Sequence, residues 1–331
     1  MINFRFRGED IYLKESEKKI FKSSDFYEDT NGYTLKQITK NILSGNDWVE
    51  SVNLFIPTGS WLNSIITSSK RTFFFKNILP LQDKLILDIG AGWGQFTIPL
   101  ANNNKVCAME PNYEKINFID AVAQQNNLLR KIYLLSANFF EVDCKTKFDI
   151  ILSIGVLEWV NKYYHLSMDL NPQLNFLSKC KETLSNEGKL IIGIENRIGL
   201  KYLLGSNDDH IGTSNISYLD KEFAKKKYLN KYGKELKSFT YSYAEYIELL
   251  STAGFRDITF FVALPDYKLP EVILPISAFN EYILNAEAII EHDGSNGIPL
   301  ENSDEIFSLY QSLAKMNIAH YFAPSYYIIA K

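Results

Sequence analysis

The 331-residue sequence is poor in cysteine and histidine, with three and four copies. Cys107, Cys144 and Cys180 lie far apart without CxxC spacing, so we expect structural thiols rather than a zinc or redox site. No run approaches the roughly 18 apolar residues that a membrane span needs. The charged N-terminus also lacks the apolar stretch of a secretion signal. These absences predict a cytoplasmic protein without a membrane span.

An excess of basic residues is absent as well. The chain has 35 Lys and Arg against 39 Asp and Glu, which gives a formal net charge of −4. Because no overall positive field is present, we expect no nucleic-acid partner. The exception is the lysine-rich segment 221–237, for which two interpretations stay open: a solvated helix face, or a docking site for an anionic substrate, lipid surface or polymer.

From residue 84 onward, short apolar runs alternate with helical patterns, which is typical of a parallel sheet with crossover helices. "SNEG" at 185–188 is expected to end a helix before the fifth strand. A last strand that arrives after a long helical insertion can lie antiparallel beside the fifth. The sequence therefore predicts an α/β, Rossmann-like, doubly wound sheet, and its expected strands are 84–89, 105–110, 131–136, 148–154, 189–195, 257–264 and the segment after Pro324.

The same patterns predict four segments. Residues 1–80 form a helical and irregular N-terminal lobe, and residues 81–264 form the core, with an insertion at 196–241. Residues 265–322 are expected to form a helical insertion that acts as a lid, and residues 323–331 the final core strand.

A glycine-rich turn follows the first predicted strand. Asp88 ends the strand, and Gly90, Gly92 and Gly94 let the backbone approach a ligand closely. A dinucleotide turn would place its third glycine where this chain has Gln95, and a phosphate-binding Walker turn would continue with GK[ST]. With these two kinds of turn disfavoured, a ligand that carries an amine, a carboxylate and an adenosine, but no phosphate, would suit the glycine turn. We expect Asp88 near its ammonium and the amides of a helix N-terminus near its carboxylate.

Two polar residues follow at the ends of later strands. Glu110 ends the second strand, where a carboxylate can accept two hydrogen bonds from ribose hydroxyls. Asn138 lies just past the third strand and can offer its amide to the adenine edge. The order of these residues, rather than any one of them, indicates a nucleoside-containing cofactor.

At this point the sequence resembles a known family. "LILDIGAGWGQFTIPLA", "VCAMEPN", "SANFFEV" and "FDIILSIGVLEWV" are similar to the successive cofactor motifs of class I S-adenosylmethionine-dependent methyltransferases. The resemblance implies S-adenosyl-L-methionine as cofactor and a seven-stranded sheet whose antiparallel last strand is "SYYIIAK". Many members carry aspartate at Asn138, so the adenine contact can fall instead on Ala137 or Phe139. The implied cofactor-binding residues are Asp88, Gly90, Ala91, Gly92, Gly94, Glu110, Pro111, Asn138, Phe139, Ser153 and Gly155.

A narrower resemblance covers residues 192–212 and 265–273. These segments look like a methyltransferase subgroup that is often encoded beside glycosyltransferases in bacterial surface-polysaccharide clusters. The resemblance implies O-methylation of a sugar, nucleotide sugar or glycan intermediate. Three alternatives stay open: another small metabolite with a carboxylate or phosphorus-containing group, a non-catalytic cofactor-binding scaffold, and a nucleic-acid methyltransferase that uses the lysine-rich segment.

The acceptor is expected beyond the fourth and fifth strands. No [DN]PP[YF] tetrad follows the fourth strand, which disfavours methylation of nucleobase amines. Proton acceptors and acceptor-binding groups are therefore sought among the polar residues there. The candidate general bases are His210, Asp209 and Glu158, and the candidate acceptor-binding residues are Glu195, Asn196, Arg197 and Lys201.

Structural interpretations of these residues also stay open. His210 can serve loop structure, Glu158 can cap or salt-bridge the next helix, and Arg197 can hold the insertion by ion pairing. His165, after the fourth strand, is expected to be structural. "DDH" at 208–210 has no second matching cluster in the sequence, so no metal is expected.

Overall fold

The computed structural model describes residues 1–21, 26–163, 171–288 and 303–331; His165 lies outside them. The chain forms two compact units. The first unit comprises residues 1–154 and 179–190, and the second comprises residues 155–178 and 191–331. The segments expected from the sequence follow other boundaries and stay predictions.

The strands are numbered in chain order: β1 Ile2–Phe6, β2 Glu9–Leu13, β3 Lys18–Ile20, β4 Leu85–Ile89, β5 Lys105–Met109, β6 Ile132–Ser136, β7 Val142–Cys144, β8 Phe148–Ile154, β9 Leu184–Glu195, β10 Ile258–Leu264, β11 Val272–Pro275 and β12 Ser325–Ala330. The helices are α1 Gly32–Leu43, α2 Trp48–Asn53, α3 Trp61–Thr67, α4 Phe73–Asn77, α5 Thr97–Leu100, α6 Tyr113–Gln125, α7 Val160–Tyr163, α8 Pro172–Thr183, α9 Leu200–Leu203, α10 Lys221–Tyr232, α11 Tyr243–Thr252, α12 Phe279–Asn285 and α13 Ser303–Lys315.

The main sheet is mixed and mostly parallel. In the first unit the strand order is β9-β8-β4-β5-β6-β3, and β4 runs parallel to both β5 and β8. In the second unit the order is β11-β10-β12-β9, with β10 antiparallel to β12. Strand β9 contributes residues to both units. The predicted Rossmann-like fold with an antiparallel C-terminal strand is confirmed.

Strand β4 shows why this sequence forms a parallel sheet. Its residues Ile86, Leu87 and Ile89 are all buried, as expected for a strand that is covered on both faces. Leu87 lies in register with Cys107 on one side and Ile151 on the other. This packing fixes the carboxyl end of β4, where the glycine turn begins.

The N-terminal lobe differs from the expectation of helices and irregular chain. Strand β1 pairs antiparallel with β2 and with β7, and β3 pairs parallel with β6. The sequence contained a signal, because buried Ile2 and Phe4 alternate with more exposed residues, which is the period of a strand. The lid segment likewise contains a strand, β11, besides its helices.

The segment 185–188 does not end a helix. Helix α8 stops at Thr183, and β9 already begins at Leu184. A Cβ atom on Gly188 would lie 2.9 Å from the backbone oxygen of Phe148, so the glycine permits close approach of two backbones. The glycine that suggested a helix end therefore serves strand packing.

Candidate active site

In the first unit, Asp88 and the glycine turn form one side of the candidate site. Asp88 is buried, and the Thr97 hydroxyl donates a hydrogen bond of 2.6 Å to its Oδ2. Burial raises the pKa of Asp88 to about 7. Gly90 and Gly94 have φ of 64° and 76°, and a Cβ on Gly94 would lie 3.0 Å from the Ile119 side chain. Only glycine fits both requirements at position 94.

The helix after this turn is shorter than expected. Helix α5 spans only the four residues Thr97–Leu100, and the turn continues up to it. A single helical turn develops little macrodipole. The expected role of helix N-terminal amides in holding a carboxylate is therefore not supported, and the turn backbone remains as the feature close to a ligand.

Glu110 is held by the backbone of its surroundings. Its Oε2 accepts the N–H of Gly92 at 3.0 Å, and its Oε1 accepts the N–H of Asn112 at 3.0 Å. Burial raises the pKa of Glu110, although Lys115 and the two amides act in the opposite direction. The glycine turn and the end of β5 are thus joined through one buried carboxylate.

The N-terminal lobe contributes a polar group that no sequence pattern indicates. Asp29 accepts hydrogen bonds from the indole Nε1 of Trp93, at 3.2 Å, and from Nζ of Lys115, at 2.9 Å. Trp93 belongs to the glycine turn, and Lys115 lies in α6. No sequence pattern joins positions 29, 93 and 115, so this contact could be found only from the fold.

The ends of β6 and β8 supply the remaining predicted residues of the first unit. The Ser136 hydroxyl donates to the Pro111 carbonyl at 3.2 Å, which joins Pro111 to β6. Asn138 caps a short 3₁₀ turn, because its Oδ1 accepts the N–H of Phe140 at 3.0 Å. Phe139 is buried beneath the ammonium of Lys179, 5.1 Å from the ring centre.

The residues of the first unit fit S-adenosylmethionine. A carboxylate has about four acceptor positions, so Glu110 keeps two for hydroxyl groups after binding its two amides. The hydroxyl of Ser153, near the carboxyl end of β8, is fully buried and has no hydrogen-bond partner among the residues that the structure describes. Buried polar groups usually have partners, so Ser153 offers a position for a ligand.

In the second unit, His210 lies among carboxylates. Its Nε2 is 3.5 Å from Glu158 Oε1 and 3.5 Å from Glu195 Oε2, and its Nδ1 is 3.6 Å from Asp208 Oδ1. Burial opposes the charged form, yet Glu195, Asp208 and Glu158 raise the pKa of His210 well above its ordinary value. A protonated imidazole donates rather than accepts, which is the opposite of the general-base role expected for it.

Asp209 is bound by cations beside this histidine. Its Oδ2 accepts from Lys201 Nζ at 2.9 Å and from the Tyr202 hydroxyl at 3.0 Å, and Lys268 Nζ lies 3.5 Å away. Burial opposes the charged form, but Lys268 and Lys201 lower the pKa of Asp209 well below its ordinary value. Lys268 also donates to Glu195 Oε1. The structure therefore brings together the predicted residues Glu158, Glu195, Lys201, Asp209 and His210, and adds Asp208, Tyr202 and Lys268.

Two predicted acceptor-binding residues are occupied by contacts within the chain. Asn196 Nδ2 donates to the carbonyls of Tyr321 and Ala323, each at 2.8 Å. Arg197 forms a two-point ion pair with Glu245, with distances of 2.6 and 2.9 Å. These contacts favour structural roles, which for Arg197 is the alternative that the sequence left open.

Gly155 is a predicted cofactor-binding residue, but it belongs to the second unit, whereas the other predicted cofactor-binding residues belong to the first. Its φ is 71°, its N–H bonds the Gly193 carbonyl at 2.9 Å, and a Cβ there would lie 3.0 Å from the Tyr267 hydroxyl. The glycine lets the chain turn after β8 beside Tyr267.

The fold and this arrangement agree with a comparison to protein families. Residues 86–170 match the family model described as a methyltransferase domain. The matched region contains Asp88, the glycine turn and Glu110. This part of the chain is therefore a methyltransferase domain of Rossmann-like fold, and such a domain implies S-adenosylmethionine as the methyl donor.

Curated proteins show the same similarity over part of the chain. A stretch of 122 residues is 30% identical to the tRNA U34 carboxymethyltransferase of Ruthia magnifica subsp. Calyptogena magnifica, over 35% of this chain and 34% of that protein. A stretch of 115 residues is 30% identical to the histone-arginine methyltransferase CARMER of Drosophila willistoni, over 32% of this chain and 21% of that protein. The chain thus spans about a third or less of the length of these relatives.

A solved structure of a possible histamine N-methyltransferase from Thermotoga maritima is similar in fold. The alignment covers 90% of this chain and 99% of that chain, with 15% identity and a TM-score of 0.42.

Within the described residues of our structure, no helix combines the length and the apolar character needed to cross a bilayer.

Proposed function

We propose that the protein transfers a methyl group from S-adenosylmethionine to a hydroxyl oxygen of a sugar, nucleotide sugar or glycan intermediate of surface-polysaccharide synthesis. The observation that carries the methyl-donor part is the Glu110 carboxylate, which is joined to the glycine turn and to Asn112 by backbone amides. The acceptor part rests on the polar cluster of the second unit and on the resemblance of residues 192–212 and 265–273.

In the donor site, Glu110 would accept the two ribose hydroxyls, and the glycine turn would lie along the amino-acid chain of the donor. Asn138, Phe139 and the Ser153 hydroxyl would contact the remaining polar and adenine groups. When bound, S-adenosylmethionine supplies an electrophilic methyl group on sulfur. Transfer then depends mainly on alignment of the acceptor oxygen and on removal of its proton.

The acceptor site would use the cluster around His210. Glu158 Oε2 and Glu195 Oε2 are buried and have no hydrogen-bond partner within the described part of the chain, so they can receive hydroxyl groups. The surplus of carboxylates repels an anion, which disfavours a carboxylate or phosphate as the methylated group itself. A neutral hydroxyl therefore fits this cluster better than the anionic alternatives.

Calorimetric titration with S-adenosylmethionine, S-adenosylhomocysteine and NAD tests the donor site. We expect micromolar binding of the first two and none of NAD. Glu110→Gln should weaken binding by about 10- to 100-fold, because one buried acceptor of hydrogen bonds becomes a donor. Glu141→Gln, an exposed glutamate of the same unit, is the matched control. Binding of NAD, or of none of the three, would reject the proposal.

An acceptor screen by mass spectrometry then tests the substrate class. Sugars, nucleotide sugars and oligosaccharide intermediates should gain 14 mass units per methyl group, whereas short carboxylic acids and transfer RNA should not. Methylation of transfer RNA would instead favour a nucleic-acid acceptor and would reject the glycan proposal.

A further inference from the structure

Three side chains of the second unit bring possible metal-ligand atoms close together. One ligand-type atom from each of Glu158, Glu195 and His210 lies within 4.8 Å of the others. The imidazole Nε2 is 3.5 Å from a carboxylate oxygen on each side. Charge-assisted hydrogen bonds are shorter, about 2.7–2.9 Å. Ligand atoms at roughly 2.1 Å from a shared tetrahedral ion lie about 3.4 Å apart, which agrees with the two distances from His210 Nε2.

The carboxylates also have free oxygens in a buried place. The side chains of Glu158 and Glu195 are 1% and 0% exposed, and none of the described residues forms a hydrogen bond with Oε2 of either. Glu195 Oε2 is the atom that lies 3.5 Å from Nε2 of His210. An unpartnered buried carboxylate oxygen that faces an imidazole nitrogen is costly without a ligand.

The other atoms of these groups have partners that would orient them. Asp208 Oδ1, 3.6 Å from His210 Nδ1, is fixed by the N–H groups of His210 and Ile211, and Ser217 binds Asp208 Oδ2. Such a carboxylate beside Nδ1 leaves Nε2 as the coordinating nitrogen. Lys268 binds Glu195 Oε1 and so directs Oε2 toward the histidine.

The local charge favours a cation. Glu195 and Asp209 pair with the ammonium groups of Lys201 and Lys268, and the carboxylates of Glu158 and Asp208 lie beside His210 in the same cluster. Carboxylates therefore outnumber ammonium groups by at least two, and a divalent ion beside a neutral imidazole would balance that difference.

We propose that Glu158, Glu195 and His210 bind one divalent transition-metal ion, such as Mn²⁺ or Zn²⁺. Mixed imidazole and carboxylate ligands suit these ions better than Ca²⁺. The ion replaces the proton on Nε2 of His210, which is released to solvent. The expectation of no metal arose because the ligands are distant in sequence and only one of them belongs to "DDH". Ion binding stands by itself, whereas use of the ion to hold an acceptor hydroxyl rests on the proposed function.

The test uses the full chain after treatment with a chelator. Binding of Mn²⁺ is measured by the loss of the free-ion signal in electron paramagnetic resonance, and binding of Zn²⁺ is measured by calorimetry. Each titration should give one ion per chain. Glu195→Gln and His210→Ala should weaken binding by about 100-fold or more, and Asp208→Asn by about 10- to 100-fold. His320→Ala, at a partly exposed histidine that contacts Asn280, should bind as the parent does.

Absence of Mn²⁺ and Zn²⁺ binding by the unaltered chain would overturn the proposal, and that result needs no variant to fold. Unchanged affinity in folded Glu195→Gln and His210→Ala, judged by thermal melting, would overturn it too. Calorimetric titration with S-adenosylmethionine, run once with the ion bound and once with chelator, separates the two proposals. Absence of donor binding by a chain that binds the ion contradicts only the proposed function.

Discussion

Asp88 in the first unit and Asp209 in the second are buried aspartates whose pKa values shift in opposite directions. Asp88 receives a hydrogen bond from the neutral hydroxyl of Thr97, and burial raises its pKa to about 7. Asp209 is bound by Lys201 and lies near Lys268, and these ammonium groups lower its pKa well below the ordinary value despite burial. The charge of the partner, rather than burial alone, therefore decides which carboxylate is ionised.

The difference follows from how each site is built. In the first unit the carboxyls of Asp88 and Glu110 are bound directly by a neutral hydroxyl and by backbone amides. In the second unit the carboxylates of Glu195 and Asp209 are bound directly by ammonium groups. Carboxyls held by neutral dipoles suit a cofactor that carries its own charges, and a cluster of charges suits work on a polar acceptor or a cation.

Replacement of Asp88 should give the largest change in the free energy of unfolding, and this change should depend most strongly on pH. The native carboxyl keeps its proton up to about pH 7, whereas 3.8 is its ordinary value. Its contribution to stability is therefore full below about pH 4, falls as pH rises, and is lost above about 7. Asp88→Asn removes this titration, so the variant should exceed the parent in free energy of unfolding above pH 7, by on the order of 4 kcal/mol at most.

Urea denaturation at pH 4 to 8 measures this difference. Asp143→Asn, at an exposed aspartate of the first unit, should follow the parent at every pH. A constant difference between Asp88→Asn and the parent over this range would show that Asp88 is already ionised in the native protein, which would remove the contrast with Asp209.

Replacement of Asp209 should lower the free energy of unfolding at neutral pH, whereas replacement of Asp88 should raise it. Asp209→Asn leaves Lys201 without its carboxylate and takes one negative neighbour from Lys268. Removal of one partner of a buried ion pair is strongly destabilising, and we expect a loss of about 3 kcal/mol at pH 7. Urea denaturation in the presence of chelator measures it. A gain in stability, like that expected for Asp88→Asn, would contradict the idea that the cations hold Asp209 ionised.

The same contrast explains what could be predicted from the sequence. The parallel strands and the positions of Asp88, the glycines and Glu110 follow from local patterns, since each lies at or next to a strand end. In the second unit, Glu158, Glu195 and His210 were selected singly, as candidates for separate roles. Their convergence with Lys268 and Asp208 depends on loops after different strands, and no periodicity or spacing encodes it. Asp29, which contacts Trp93 from the N-terminal lobe, was missed for the same reason.

Removal of one of the two ammonium groups near Asp209 should give the smallest loss in the free energy of unfolding. Lys201→Met keeps the apolar stem of a side chain that is 14% exposed and leaves Lys268 3.5 Å from Asp209. Because one ammonium remains, we expect a loss of about 1–2 kcal/mol, less than for Asp209→Asn. Lys225→Met, which breaks a surface pair with Glu222, is the matched control and should cost less than about 0.5 kcal/mol. A loss for Lys201→Met equal to that of Asp209→Asn would mean that Lys201 alone keeps Asp209 ionised, and that Lys268 serves Glu195 instead.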